Sequence, residues 1–162
     1  MENHRELTKK IIADFAEAYS SFGLNPLMGR IIALLIISKE PQSLDEIAKK
    51  LEMSKGPISQ ICRRLKDRNL IEKVWVPGDR KDYYKAVNDI FGHAYSNQMD
   101  KMRKNVRIAR HYSDEADSIN TEEGNYAKFR MEEMEAFYEL MDEHNKKFLA
   151  AWESLHAEKF SE

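Results

Sequence analysis

The apolar positions of this chain change their period along its length, and the changes mark its parts. Leu7, Ile11, Ile12, Phe15, Tyr19 and Phe22 recur every three or four residues, which predicts one amphipathic helix stopped by Gly23. Leu27 to Ser38, entered through Asn25-Pro26 and closed before Pro41, is apolar nearly all round, the pattern of a central helix packed on several sides. Ser43-Leu44-Asp45-Glu46 has the form of a capping box and opens a short helix to about Leu51. After Met53, Ser54 is placed to cap a further helix to about Arg68, with Pro57 tolerated in its first turn and Asn69 as a left-handed terminator.

The period then shortens. Leu70 to Val76 and Lys81 to Val87 are rich in Ile, Val, Trp and Tyr, and Pro77-Gly78-Asp79-Arg80 between them is a turn by its residues, so a β-hairpin is expected. A polar helix follows from Asp89 to about His111, then a break around Ser113 to Glu123, then a long helix to about Phe160. In that last helix Met131, Met134, Tyr138, Met141, Asn145, Phe148, Trp152 and Leu155 alternate spacings of three and four, a heptad seam with a polar residue at one a-type position. Its partner can be a helix of the same chain or of a second copy. The expected class is mainly α, a winged helix-turn-helix with a two-stranded β wing and flanking helices.

Composition narrows the function classes. The 162 residues suit one compact domain with a helical arm. The longest apolar run, Ile31 to Ile37, is far short of the roughly 20 residues that span a bilayer, so no membrane partner is expected. Met1 to Lys10 is polar and lacks the apolar core of a secretory signal, and Cys62 is the single cysteine; both point to a reducing, cytoplasmic location. The net charge of -2 conceals a strong asymmetry. Residues 1–53 carry 7 basic and 8 acidic groups, residues 54–113 carry 14 and 6, and residues 114–162 carry 5 and 14. A basic middle with an acidic tail fits one region that meets a polyanion and another kept away from it.

The helix after Ser54 has two faces. Ile58, Ile61, Cys62 and Leu65 share a narrow arc that should face the core, whereas Gly56, Ser59, Gln60, Arg63 and Asp67 lie opposite with Arg64 at the edge. Small residues near the start allow close approach, and Gln and Arg carry forked groups that read adenine and guanine edges in a major groove. Backbone N–H groups at Ser54 and Lys55 can receive a phosphate. Arg63 and Asp67, four apart, equally fit a plain surface ion pair. The hairpin turn places Arg80 and Lys81 at a tip, where an arginine can enter a narrow minor groove; an ordinary hydrophilic turn has the same composition. Cys62 belongs to the inner arc, where a packing role outweighs a redox one.

Gly29-Arg30-Ile31, Ser43 to Ala48, Ser54 to Ser59 and Val74 to Tyr84 together resemble the GbsR-like branch of the MarR transcriptional regulators, closely over residues 24–90 and by layout in the flanking helices. The resemblance implies a homodimer on double-stranded DNA, often a repressor released by a small molecule. On that basis Lys55, Ser59, Gln60 and Arg63 are recognition-helix contacts, Arg80 is the wing arginine and Asp79 its brace. The implied parts are a dimerisation helix at 1–23, the winged helix at 24–88, and C-terminal helices at 89–162 for dimerisation and effector sensing. The branch is associated with choline and glycine betaine metabolism, but no motif marks an effector cage. Tyr95, Tyr112, Trp75 and Trp152 can hold a quaternary ammonium or simply pack.

Two other classes compete with a regulator. A winged helix can serve as a scaffold, with the heptad helix binding another protein. An enzyme has little support: His4, His93, His111, His144 and His156 show no metal-ligand spacing with Cys62, and there is no nucleophile elbow or phosphate-cradling loop. No cofactor, metal or catalytic residue is therefore expected.

Overall fold

The computed structural model describes residues 2–160, without the side chain of Glu2, and divides into two units, one ending at Ile90 and one beginning at Phe91. In the first, α1 (Glu2–Ser21) lies on α2 (Pro26–Ile36). Only the middle of the predicted apolar stripe is used: Ile12 is buried and Ile11, Phe15 and Tyr19 are half-buried, while Leu7 and Phe22 at its ends are exposed. Gly23 ends the helix at φ +68°, with its N–H on the Ser20 carbonyl and the Leu24 N–H on that of Tyr19. Asn25 caps α2 by accepting the Leu27 N–H at 2.8 Å, and eight of the eleven residues of α2 are buried, as an all-round apolar helix requires.

Gln42–Ser43 forms β1, and Ser43 also starts α3 (Leu44–Leu51). The capping box is complete: the Ser43 hydroxyl accepts the Glu46 N–H at 3.2 Å, and the Glu46 carboxylate accepts the Ser43 N–H at 2.7 Å. Glu52, at φ 53°, reverses the chain in the left-handed region, a feature the sequence reading does not anticipate. Then come α4 (Lys55–Asp67), β2 (Ile71–Val74) and β3 (Tyr83–Ala86). Ser54 has the extended backbone of an N-cap but its side chain makes no capping bond, contrary to expectation, so the first N–H groups of α4 stay open. Asn69 is left-handed at φ 55°, as its position predicts.

The sheet has one more strand than the expected two. Its order is β1-β3-β2, all antiparallel, with Gln42 opposite Tyr84, Ser43 opposite Tyr83 and Val74 opposite Tyr83. Two residues between a proline and a helix cap carry no periodicity, so β1 is visible only through its pairing. The core of this unit gathers Ile31, Ile47, Leu51, Ile58, Leu65 and Ile71 around α2.

The second unit is formed by α5 (Ile90–Asp117) and α6 (Glu122–Lys159), antiparallel to each other. The break between them is four residues, shorter than the expected 113–123, because Asp114, Glu115 and Asp117 are the solvated face of a continuing helix whose Ser113 and Ala116 are buried. Thr121 caps α6 by accepting the Gly124 N–H at 3.1 Å. Much of the heptad seam turns toward α5 of the same chain. Tyr95 donates to Asn145 at 2.5 Å and its ring lies 4.7 Å from that of Phe148, and Tyr138, Met141 and Asn145 share a crevice with Met99 and Met102. Met131, Met134 and Trp152 are half-buried, and Phe148 and Leu155 are exposed.

Two substitutions test the first unit. A Cβ on Gly29 would sit 2.4 Å from the Phe15 carbonyl oxygen and 2.8 Å from its carbon, both backbone. Gly29→Ala should therefore force α1 off α2 and lower stability by about 1–3 kcal/mol in urea titrations; an unchanged midpoint would mean that the two helices are not so close. Ser43→Ala should cost about 1 kcal/mol. Bonds from the Ser43 backbone and hydroxyl hold the Glu46 carboxyl below its ordinary 4.5. Its contribution is thus present above pH 4.5 and lost as the pH falls below it, so the wild type and Ser43→Ala should converge in stability on acidification, followed by circular dichroism.

Candidate nucleic-acid interface

The arc that α4 presents inward is the expected one: Ile58, Ile61, Cys62 and Leu65 are all buried. That anchoring turns Ser54, Lys55, Gly56, Gln60, Arg63 and Arg64 to solvent, with Ser59 half-buried between the two faces. A Cβ on Gly56 would meet nothing within 4 Å, so the glycine is not required by packing within the chain. Among the described residues Arg63 and Arg64 have no carboxylate within 4 Å, and the surface pair of Arg63 with Asp67 does not form. Their guanidinium groups are uncommitted, as readers of base edges or phosphates must be.

The wing is braced through its backbone. Gly78 takes φ +83°, and the Asp79 N–H closes the turn on the Val76 carbonyl at 3.2 Å. Asp79 then accepts the Lys81 N–H at 2.9 Å with one carboxylate oxygen and the Tyr83 hydroxyl at 2.9 Å with the other. These bonds, the first from Lys81, hold its carboxyl below the usual range, and the same carboxylate raises the Tyr83 hydroxyl. Asp79, the expected brace of the wing, thus acts on the backbone of the loop that presents Arg80, accepting from the Lys81 N–H and, more weakly, from the Arg80 N–H. Arg80 itself is exposed, with no carboxylate within 4 Å among the described residues. Lys73 pairs with Asp82 at 2.6 Å and Lys85 with Glu72 at 3.1 Å, which ties the two strands below the tip.

One carboxylate joins the helix to the wing. Asp45, in the first turn of α3, pairs with Lys55 at the start of α4 through one oxygen and lies 3.8 Å from Lys81 of the wing through the other. The Lys55 contact, acting first as a hydrogen bond, holds the Asp45 carboxyl below its usual range. Lys55 and Lys81 are therefore held at one carboxylate, where the start of α4 meets the wing. Sequence reading treated Asp45 only as part of a capping motif; nothing in local spacing links it to a residue 36 positions later. Arg30, noted only within a motif, donates to the Leu51 carbonyl at 2.8 Å and to Met53 Sδ at 3.3 Å, which fixes the end of α3 and the connection into α4.

The charge asymmetry is in part satisfied internally. On α5, Arg103 pairs with Asp100 and with Asp142 of α6, each at 2.7 Å, and Arg110 pairs with Glu135 and Glu139. The basic middle and the acidic tail thus meet each other along the hairpin. The aromatic candidates for a cation cage do not converge: Tyr95 is committed to Asn145, and Tyr112 lies about 25 Å farther along the same helix, beside His111. Trp75 is exposed in the wing, and Trp152 packs by His156 and Phe160. Among the described residues, no three His, Cys, Asp or Glu side chains are grouped to hold a metal, and no helix is long and apolar enough to cross a membrane.

Residues 22–82, which contain α2, α3, α4, β2 and the turn of the wing, match the MarR family model. Over 81 residues the chain is 33% identical to the HTH-type transcriptional repressor OpcR of Bacillus subtilis strain 168, covering 50% of this chain and 44% of OpcR. Over 91 residues it is 30% identical to the HTH-type transcriptional repressor GbsR of the same organism, covering 56% and 48%. The chain therefore matches under half the length of these relatives. A crystal structure described as a transcriptional regulator superposes with a TM-score of 0.75 at 22% identity, over 91% of this chain and 98% of that one, which establishes a shared fold.

Burial pushes the Cys62 thiol up to about 12. Less than one thiol in about 10⁴ is then ionised at neutral pH, given that one pKa unit is tenfold in the thiolate fraction. Cys62 should resist iodoacetamide in the native protein and react only on unfolding; prompt native labelling, read by mass spectrometry, would contradict the buried placement.

Proposed function

We propose, from the MarR-family domain that residues 22–82 form, that the chain is a sequence-specific DNA-binding transcriptional regulator, a repressor that acts as a homodimer in the cytoplasm. The observation that carries this reading is the shared Asp45 carboxylate, which brings Lys55 of the recognition helix and Lys81 of the wing to one surface beside uncommitted Arg63, Arg64 and Arg80. In this reading α4 enters the major groove. Gln60 and Arg63 read base edges there, and Ser59 and Gly56 allow close approach. The open N–H groups at Ser54 and Lys55 receive a phosphate, and the Lys55 and Lys81 ammonium groups exchange Asp45 for phosphates. Arg80, on a loop that Asp79 has already shaped, enters the flanking minor groove without a large ordering cost. A small-molecule effector is part of the proposal, although the aromatic side chains indicate no place for a quaternary ammonium.

Fluorescence anisotropy with DNA from the region upstream of its own coding sequence tests this. Arg63→Ala should weaken binding by about 1–3 kcal/mol and relax preference at one base pair. Arg80→Ala should weaken binding to all sequences and reduce the slope of log affinity against log salt by about one. Retained affinity and slope in the double variant would defeat the proposed surface. Absence of DNA affinity at moderate salt, with capture of a non-self protein, would favour the interaction-module reading.

A further inference from the structure

We propose that the α5–α6 hairpin binds a polyphosphate anion, a ligand with two or three linked phosphoryl groups, in a basic groove centred on Lys104 and Arg107. The groove lies open along the hairpin and has a volume of about 790 Å³, within the range of roughly 300–1,000 Å³ typical of small-molecule sites. Its lining is charged instead of apolar: five of its nine residues are basic and three acidic, and Val106 is the single apolar one. An uncharged or apolar ligand has little to bury against here, whereas a multiply charged anion has several partners. The groove shares no residue with the surface of α4 and the wing on which the DNA-binding reading rests.

The ion pairs decide which of these cations are available. All three lining carboxylates are already met. Arg103 pairs with Asp100 and with one oxygen of Asp142, each at 2.7 Å, and Lys146 takes the other Asp142 oxygen at 2.7 Å. Arg110 pairs with Glu139 and also with Glu135. Lys104 and Arg107 are exposed and, among the described residues, have no carboxylate within 4 Å. They stand three apart on one helix, where like charges are neighbours and repel. Arg103 lies one turn before Arg107 and Arg110 one turn after it, so α5 carries a line of arginines whose ends are held by α6 carboxylates and whose middle is open. Arg103 to Arg110 covers about 10 Å of helix axis at 1.5 Å per residue, which suits an anion whose charge is spread along a short chain. The guanidinium fork of Arg107 matches two oxygens of one phosphoryl group, and the Lys104 ammonium meets the next as a point charge. Because Arg103 and Arg110 are fixed in advance, the flanking cations need little ordering when the anion arrives.

The test is isothermal titration calorimetry on the full chain, without DNA or divalent metal and at moderate salt, with inorganic tripolyphosphate, ATP and citrate as probes. The expected result is saturable binding of one tripolyphosphate per chain, weakened at least tenfold by Lys104→Ala with Arg107→Ala. Arg107→Lys, which keeps the charge and loses the fork, should weaken it severalfold. Helix content and thermal midpoint of the ligand-free double variant should be unchanged, since neither side chain pairs within the hairpin. Tighter binding of ATP would identify the ligand as a nucleotide, and equal or weaker binding of ATP would identify it as a free phosphoryl chain; both support the site. Citrate binding as tightly as tripolyphosphate overturns the phosphoryl class. Loss of binding in Arg63→Ala with Arg80→Ala, and none in the Lys104 and Arg107 double variant, would place the anion on α4 and the wing and overturn this site while the DNA-binding reading stands. Absence of saturable binding at millimolar tripolyphosphate overturns the proposal outright.

Discussion

A helix with no polar side cannot lie on a surface, and the first unit is arranged around that constraint. Apart from Arg30, Pro26–Ile36 presents apolar groups nearly all round, so it is stable only when enclosed. The enclosure is formed by α1, α3, α4 and β3. Close approach is what makes it tight: Gly29 lets the Phe15 carbonyl come to a distance that any side chain would block. Because α4 and β3 both lean on this core, their outward faces are set by their inward ones. The residues turned to solvent are those left over after Ile58, Ile61, Cys62, Leu65 and Tyr84 have been buried.

The candidate interface adds polar constraints to that apolar frame, each acting over a short distance. Ser43 and Glu46 fix the start of α3. Arg30 and the left-handed Glu52 fix its end and the turn into α4. Asp79 shapes the wing loop, and Asp45 links helix to wing. Exposed ion pairs of this type contribute little to stability. Their effect is on geometry: the Asp45 carboxylate holds near one another two cations that would otherwise repel. Preorganisation of this sort lowers the ordering cost of binding.

The α5–α6 hairpin carries apolar side chains on two faces of one helix. One face of α6 carries Tyr138, Met141 and Asn145 against α5, with ion pairs from Arg103 and Arg110 along the edges. The adjacent face carries Phe129, Phe137 and Leu140 to solvent. A heptad description assigns one seam to one partner and leaves the adjacent apolar face of α6 unassigned. The acidic surplus of the C-terminal stretch has a matching role, since part of it neutralises the basic helix beside it.

Sequence alone determined the elements whose cause is local. Helical periodicity, the Ser43–Glu46 box, the left-handed Asn69 and the Pro77–Arg80 turn all depend on residues within four positions of each other, and so does the outward set of Gln60, Arg63 and Arg64 once the inner arc is recognised. The motifs between Gly29 and Tyr84 that carry the resemblance were legible for the same reason. Tertiary structure decided what depends on residues far apart in the chain: the strand Gln42–Ser43, which exists only by pairing with Tyr83 and Tyr84, the Asp45 contact with Lys81, and which face of α6 meets α5. Periodicity shows that a face is apolar but not what covers it. Coverage is set by which distant surfaces can be enclosed together, and that is a property of the packed chain rather than of any window along it.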